Sequence, residues 1–459
     1  MPTAVNPDIF REYDVRGVVG RDLTPEVVRL LGRGYAAYLR RGGGRRVALG
    51  FDARPSSPEF RDAIVQGMVE SGLEVVDIGL VPTPVLYFSL FHLDVDGGVM
   101  ITGSHNPPEF NGFKLGVGRT TIYGEQIQEV RRIVEEGAFV SGTGSLAQED
   151  VLPAYLEAVA ERVGPFARRL KVVVDAGNGT GGLTGPRLLR DLGAEVVELY
   201  CEVDGTFPNH HPDPTVPAYL QDLIATVQRE RADVGVAYDG DADRLGVVDD
   251  QGNIIWGDQL LILFGREILA RQPGATILFE VKCSQALPEA IAKAGGRPLM
   301  WKTGHSLIKN KMIEERAPLA GEMSGHLFFA DEYFGFDDAV YASCRLVRLL
   351  ARSGESLHAM LADVPKYHAT PEMRLECPDE EKFRVVAEVA AHFRKRYETI
   401  EVDGVRVLFG DGWGLVRASN TQPVLVVRFE ARTPERLRAI QNEVFAQLRA
   451  YPFVRLPQG

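Results

Sequence analysis

The sequence predicts an α/β protein: three similar α/β repeats followed by a smaller α+β module. Two observations carry that class. Short β-branched runs alternate with amphipathic stretches three times over the first two-thirds of the chain, and the character changes beyond residue 368. In the first repeat Arg46 to Phe51 reads as a buried strand, Pro58 to Ser71 as a helix and Glu74 to Ile78 as the next strand. The second runs through Lys171 to Val174, Pro186 to Leu192 and Glu195 to Leu199. The third runs through Thr276 to Glu280, Ala286 to Ala294 and Pro298 to Trp301. Strand–helix–strand units of this kind imply parallel sheets with helices on both faces. The polar, proline-bearing stretch from Val364 to Asp379 reads as a linker. Beyond it come a helix near Glu380 to Arg396, strands at Val405 to Leu408 and Val424 to Ala431, and a last helix from Pro434 to Ala450. Boundaries near 150, 255 and 368 give expected domains 1–150, 151–255, 256–368 and 369–459.

Composition supports several domains, because 459 residues exceed what one hydrophobic core usually serves. A net charge of −12 argues against a nucleic-acid partner or an anionic membrane surface. Local arginines can still reverse the field around an anionic substrate. Cys201, Cys283, Cys344 and Cys377 form no Cys-x-x-Cys pair, so neither a zinc site nor a disulfide framework is expected. The first twenty residues hold no apolar signal core, and no run of about 18 apolar residues occurs. A soluble, cytoplasmic protein is expected.

Four segments carry chemistry. Thr102-Gly103-Ser104-His105-Asn106-Pro107 sets a serine hydroxyl on a tight turn. Its histidine invites a serine-hydrolase reading, but no Gly-x-Ser-x-Gly elbow is present, and adjacent side chains rarely aim at each other. A phosphate acceptor is the better use of the hydroxyl, with Lys114 a candidate neighbour. Asp239-Gly240-Asp241-Ala242-Asp243-Arg244 places three carboxylates directly after the strand-like run Ala232 to Tyr238. Such charges repel unless a cation sits between them, and oxygen-only ligands select a hard ion such as Mg²⁺. A calcium-binding EF-hand loop needs Gly at its sixth position and Glu at its twelfth, where this chain has Arg244 and Asp250. A magnesium site at the carboxyl end of a strand fits better, with Arg244 beside the phosphate. A serine with a carboxylate-held hard metal is equipment for phosphoryl transfer.

The third segment, Gly321 to His326, frames Glu322 and Ser324 with glycines, an acceptor and a donor suited to vicinal sugar hydroxyls. Thr303-Gly304-His305-Ser306 adds a histidine in a glycine turn. The fourth, Arg417-Ala418-Ser419-Asn420-Thr421-Gln422-Pro423, makes a compact phosphate cradle. Gly177 to Gly182 also matches the dinucleotide pattern Gly-x-Gly-x-x-Gly. Asp175 and Asn178 crowd that turn with polar groups, however, and nothing else asks for hydride chemistry.

In this order and spacing the four segments resemble the α-D-phosphohexomutase superfamily across essentially the whole chain. Phe10 to Gly17, Phe207 to Pro214, Val281 to Ser284 and Phe334 to Asp338 add further matches. The sequence is most similar to the bacterial phosphomannomutase/phosphoglucomutase branch. The loop Glu322-Met323-Ser324-Gly325-His326 carries that choice, since phosphoglucosamine mutases typically have Gln at the Met323 position. The resemblance implies three similar mixed-sheet α/β domains plus a C-terminal α+β domain around a central cleft. It implies that Ser104 is a phosphoserine and, with Asp239, Asp241 and Asp243, a ligand of Mg²⁺. Lys114, Arg244 and His305 would be catalytic helpers, and Glu322 and Ser324 would hold the sugar. Arg417, Ser419, Asn420 and Thr421 would grip the phosphate that is not reacting. Tyr13, Arg16, Lys282 and His326 would line the cleft. The implied activity interconverts hexose 1-phosphate and 6-phosphate, of mannose or glucose, through a 1,6-bisphosphate. Glucose or mannose 1,6-bisphosphate would be the activator, and the tail module would close on a hinge near the linker. Small hexose phosphates are the expected partners, with no nucleic acid or membrane, and the chain is expected to be a monomer or weak homodimer. The readings set against this are a phosphoglucosamine mutase, a phosphatase using Asp239 as nucleophile, and a non-catalytic sugar-phosphate-binding protein. One departure stands out: Ala242 occupies a position where many relatives have Gly.

Overall fold

The computed structural model describes residues 5–420 and 422–457. The chain divides into two compact units, one of residues 1–260 and 324–362, the other of residues 261–323 and 363–459.

The first unit contains two mixed sheets. In one, Arg46–Phe51 lies between Glu74–Leu80 and Gly97–Ile101, all parallel. The strand Phe110–Val117 then runs antiparallel to Gly97–Ile101, pairing Lys114 with Met100, and Val15–Val18 pairs antiparallel beyond it. In the other, Val234–Tyr238 runs parallel to Lys171–Asp175 and antiparallel to Leu245–Asp249. The strand–helix–strand repeats account for the parallel pairs, and the antiparallel strands that make each sheet mixed, as the resemblance implies, enter at the same kind of place in each. A parallel return needs a crossover of a dozen or more residues. The segments 102–109 and 239–244 are too short for one, so the chain must turn straight back. These two reversals are the serine loop and the aspartate loop.

The helices that cover the first sheet follow from simple signals. Pro25–Arg41 starts with Pro at its first position, and Thr24 caps it by accepting from the Val27 N–H. It buries Val28, Leu31 and Tyr35 with Phe60 and Ile64 against Val47, Leu49 and Val99. Burial of each large apolar side chain contributes about 1.5–3 kcal/mol.

The second unit contains the parallel strands Arg297–Trp301, Thr276–Glu280 and Leu319–Gly321. It also contains an antiparallel sheet ordered His368–Ala369, Val424–Ala431, Gly412–Ala418, Val405–Leu408, Glu398–Ile400. The helices Asp379–Phe393 and Pro434–Leu448 pack Val385, Val389, Phe393, Val444 and Leu448 with Val407, Val427 and Phe429. Two features differ from expectation. Residues 364–379 are not a linker, because His368–Ala369 and Met373–Glu376 both pair with Val424–Ala431. Met373–Glu376 buries only Leu375, so it leaves almost no hydrophobic alternation to read. Gly412–Ala418 is a strand despite Gly412 and Gly414, and the Phe429 ring lies against the bare backbone of Gly414. Among the described residues no helix is long and apolar enough to cross a membrane.

Candidate active site

Ser104 begins the reversal after Gly97–Ile101, in a left-handed backbone conformation with φ of 47°. Its N–H donates to Thr102 Oγ1 at 2.8 Å, and its hydroxyl donates to Asp239 Oδ2 at 2.7 Å. His105 Nδ1 lies 3.1 Å from the same hydroxyl oxygen. That contact corrects the expectation that neighbouring side chains do not meet. Successive side chains point apart in extended backbone, and the left-handed serine departs from it. Burial, with the charges of Arg244 and Arg16, pushes the imidazole of His105 well below its ordinary range, so it is neutral.

The aspartate loop sits directly on this turn. A side chain at Gly240 would collide with the Ser104 carbonyl, so glycine is what lets the loops touch. Asp239 Oδ1 accepts the N–H groups of Asp243 and Arg244 at 3.0 and 3.1 Å. Asp241 Oδ2 accepts from Thr83 Oγ1 at 2.6 Å and lies 3.3 Å from Lys114 Nζ, which also bonds Asp243. Ala242 has φ of 59°, in the region that favours glycine, and still makes the turn bond from its N–H to the Asp239 carbonyl. The strain of such a residue is of order 1 kcal/mol.

All three carboxylates are buried. Burial, reinforced by Asp243 and Asp241, pushes the Asp239 carboxyl well above its usual range. Burial acts the same way on Asp243 but is outweighed, chiefly by Lys114, which holds it low. Lys114 stays charged, since Asp241 and Asp243 more than offset its burial. Asp241 Oδ1 and Asp243 Oδ1 are buried without a hydrogen-bond partner. One oxygen from each aspartate lies within 4.8 Å of the others. Orphaned buried carboxylate oxygens converging in this way fit a hard divalent cation.

Arg244 leaves the loop and donates from Nε to His326 Nε2 at 2.9 Å. That bond assigns the imidazole proton to Nδ1, which lies 3.0 Å from Asp337 Oδ2 and 3.6 Å from Asp243 Oδ1. The Leu245 N–H donates to the Gly325 carbonyl, which fixes His326 beside Arg244. Ser324 is half-buried just before it, and Tyr13 is half-buried on the bend before Val15–Val18. Arg16 reaches the serine loop by donating to Asn106 Oδ1 at 2.8 Å. Asp338 caps the helix Ala339–Ser353 and accepts from the hydroxyls of Tyr155 and Tyr333. Burial pushes its carboxyl up to about 6.

In the second unit Glu322 Oε1 accepts the Gly304 N–H at 2.8 Å, at the start of the helix His305–Glu315. Glu280 accepts from the Lys282 N–H at 2.7 Å, from Thr303 Oγ1 at 3.0 Å and from the Met323 N–H at 3.3 Å. Lys282 Nζ lies 3.1 Å from Glu372 Oε2 and holds that carboxyl down to about 2. Asp403 Oδ2 accepts both from Arg417 Nε and from the Thr303 N–H, each at 3.0 Å. His305 and Asn420 are half-buried, and Ser419 Oγ accepts the Gln422 N–H at 3.2 Å. Thr421 lies outside the described residues.

The structure thus gathers Ser104, Lys114, Asp239, Asp241, Asp243, Arg244 and His326 in one unit. In the other it sets Lys282 and Arg417 on the carboxylates Glu372 and Asp403, and Glu322 on the Gly304 N–H just before His305. Sequence reasoning did not single out Thr83, Asp52, Arg54 or Asp403 for this chemistry. Asp52-Ala53-Arg54 follows the carboxyl end of a parallel strand, and that position was the available signal.

Models of the phosphoglucomutase/phosphomannomutase family match in sequence. Its alpha/beta/alpha domains I, II and III match residues 7–141, 153–252 and 256–367, and its C-terminal domain matches residues 372–447. The chain belongs to that family, and its fold is that of four α/β domains with mixed sheets. It is 48% identical over 455 residues to a phosphomannomutase/phosphoglucomutase of Pseudomonas aeruginosa, covering 98% of each chain. It is 46% identical over 459 residues to a phosphoglucomutase of Neisseria gonorrhoeae, covering 99% of each. A crystal structure of a family protein from Burkholderia thailandensis superposes with a TM-score of 0.94 at 44% identity, over 99% of this chain and 100% of that one.

Proposed function

We propose that the protein is a phosphohexose mutase, an isomerase that interconverts the 1- and 6-phosphates of mannose or glucose, with Ser104 as the phosphoryl carrier. The observation that supports this most directly is the 2.7 Å bond from the Ser104 hydroxyl to Asp239, in a loop seated on converging carboxylates with orphaned oxygens. Ser104, Asp239, Asp241 and Asp243 would hold Mg²⁺, which supplies positive charge to the phosphoryl oxygens when bound.

In the first transfer the bond from phosphorus to Ser104 Oγ breaks as the sugar's 6-hydroxyl oxygen bonds to phosphorus. The hydroxyl proton passes to a base, and the electron pair of the broken bond stays on Ser104 Oγ. In the second, Ser104 Oγ bonds to the phosphorus of the 1-phosphate, and the sugar's O1 departs with the electron pair and takes up the proton that the base received. Hexose 6-phosphate remains. Charge on the migrating group is spread over its oxygens, so fixed cations do most of the stabilising. Lys114 and Arg244 serve there, with His305 as an acid–base helper. Glu322 and Ser324 hold the sugar hydroxyls, and Arg417, Ser419, Asn420 and Thr421 hold the idle phosphate. Tyr13, Arg16, Lys282 and His326 complete the substrate contacts. Glucose or mannose 1,6-bisphosphate primes the serine. Residues 1–150, 151–255, 256–368 and 369–459 act as four domains of a monomer or weak homodimer, in a cytoplasm whose reducing poise suits four free cysteines.

Phosphorus NMR of mannose 1-phosphate or glucose 1-phosphate with Mg²⁺ and bisphosphate tests this reading. Conversion to the 6-phosphate is expected. Release of inorganic phosphate alone identifies a phosphatase, and faster turnover of glucosamine 1-phosphate overturns the sugar assignment.

A further inference from the structure

We propose that Arg54 is the positioning residue that aims Ser104, an inference that rests on Ser104 carrying the phosphoryl group. Arg54 is fully buried, and its guanidinium donates to three backbone carbonyls of the serine loop and to that of Phe110, the first residue of the strand that follows. Nη2 bonds Ser104 O at 2.8 Å and Asn106 O at 2.6 Å, while Nη1 bonds Pro107 O at 2.7 Å and Phe110 O at 2.8 Å. Nε lies 3.2 Å from Asp52 Oδ2, which also accepts the Gly103 N–H at 3.1 Å. The Phe207 ring covers the guanidinium at 5.4 Å, and a side chain at Gly103 would run into it.

Residues 102–109 have no strand or helix to orient their carbonyls. A buried carbonyl left without a donor costs about 1–3 kcal/mol, so the planar fork of Arg54 replaces secondary structure for this turn. Its bond to Ser104 O matters most. Ser104 is held left-handed at φ 47°, and turning that peptide would swing the hydroxyl away from Asp239. Arg54 has no exposed surface, so it acts through the loop. Lysine offers one nitrogen and no fork, and cannot reproduce the four bonds.

The test compares full-length wild type with R54K and R54A for interconversion of glucose 1-phosphate, with Mg²⁺ and glucose 1,6-bisphosphate present. A displacement of about 1 Å at a reacting atom costs about 10²-fold in rate. We expect kcat of R54K to fall by about that factor, with KM within about threefold, because the sugar and idle-phosphate contacts are untouched. Guanidinium ion restores kcat of R54A at least about tenfold, and methylammonium does not. Hydrogen exchange rises at the amides of residues 103–111 in R54K and stays unchanged elsewhere. This arm needs no activity, and it carries the test if R54A fails to fold. R54K with wild-type kcat overturns the proposal, as does a rise in exchange spread evenly over the chain. Wild type without mutase turnover would instead sink the functional reading, while the exchange arm still decides whether Arg54 fixes the loop.

Discussion

In the unit of residues 1–260 and 324–362, one buried arginine gathers the carbonyls of the serine loop. In the other unit two buried arginines do the same for the loop that carries Lys282. Arg406 donates to the carbonyls of Val281 and Cys283 at 2.8 Å each, stacked 3.7 Å over Trp413, and Arg428 bonds the carbonyl of Lys282. The device is shared, but the hydrogen-bond balance of the carboxylates differs. Around Ser104 the carboxylates outrun their partners, and two oxygens are left with none. Around Lys282 the carboxylates Glu280, Glu322, Glu372 and Asp403 are each answered by N–H groups, a hydroxyl or a cation. The first arrangement invites a cation. In the second the carboxylates hold Lys282, Arg417 and the turn before His305 in place.

The largest expected break in this contrast comes from Ser104→Ala, which should lower mutase kcat by at least about 10³-fold with KM little changed. Steady-state kinetics read it directly.

Next is Thr83→Val. Thr83 orients Asp241 through its 2.6 Å bond, and removing an outer partner of a metal ligand typically costs 10–100-fold in affinity, as an order-of-magnitude figure. Calorimetric titration should show Mg²⁺ binding weakened by about that factor. Glu372→Gln in the other unit should leave it unchanged.

The smallest effects are on stability, and they carry opposite signs in the two units. The Glu372 carboxyl is held down to about 2, so its contribution is present above the ordinary glutamate range and is lost as pH falls through 4 toward 2. The Asp338 carboxyl is pushed up to about 6, so its contribution is present below pH 4 and is lost as pH rises through 6. Each window spans about 3 kcal/mol. Melting curves against pH should show Glu372→Gln flattening the acid limb and Asp338→Asn flattening the limb between pH 4 and 6.

Much of this contrast was legible in the sequence because its parts are local. The strand boundaries at Arg46 and Thr276 follow from short, mostly apolar runs, and three aspartates at alternating positions advertise charge that needs a partner. What was hidden is long-range. Arg54 reads as an ordinary basic residue until the fold brings residues 104–110 around it. The strands Met373–Glu376 and Gly412–Ala418 lacked a readable apolar alternation, one because it buries a single side chain and the other because glycines stand at 412 and 414, with Phe429 packed against Gly414. The contact of Ser104 with His105 depends on one left-handed residue, which no pattern of residue types announced.

Peptide mass spectrometry after incubation with glucose 1,6-bisphosphate and Mg²⁺ tests the central claim most directly. The account requires one phosphate on the peptide bearing Ser104, and none after Ser104→Ala. Phosphate on Asp239, or mutase turnover that survives the loss of the serine hydroxyl, would contradict it.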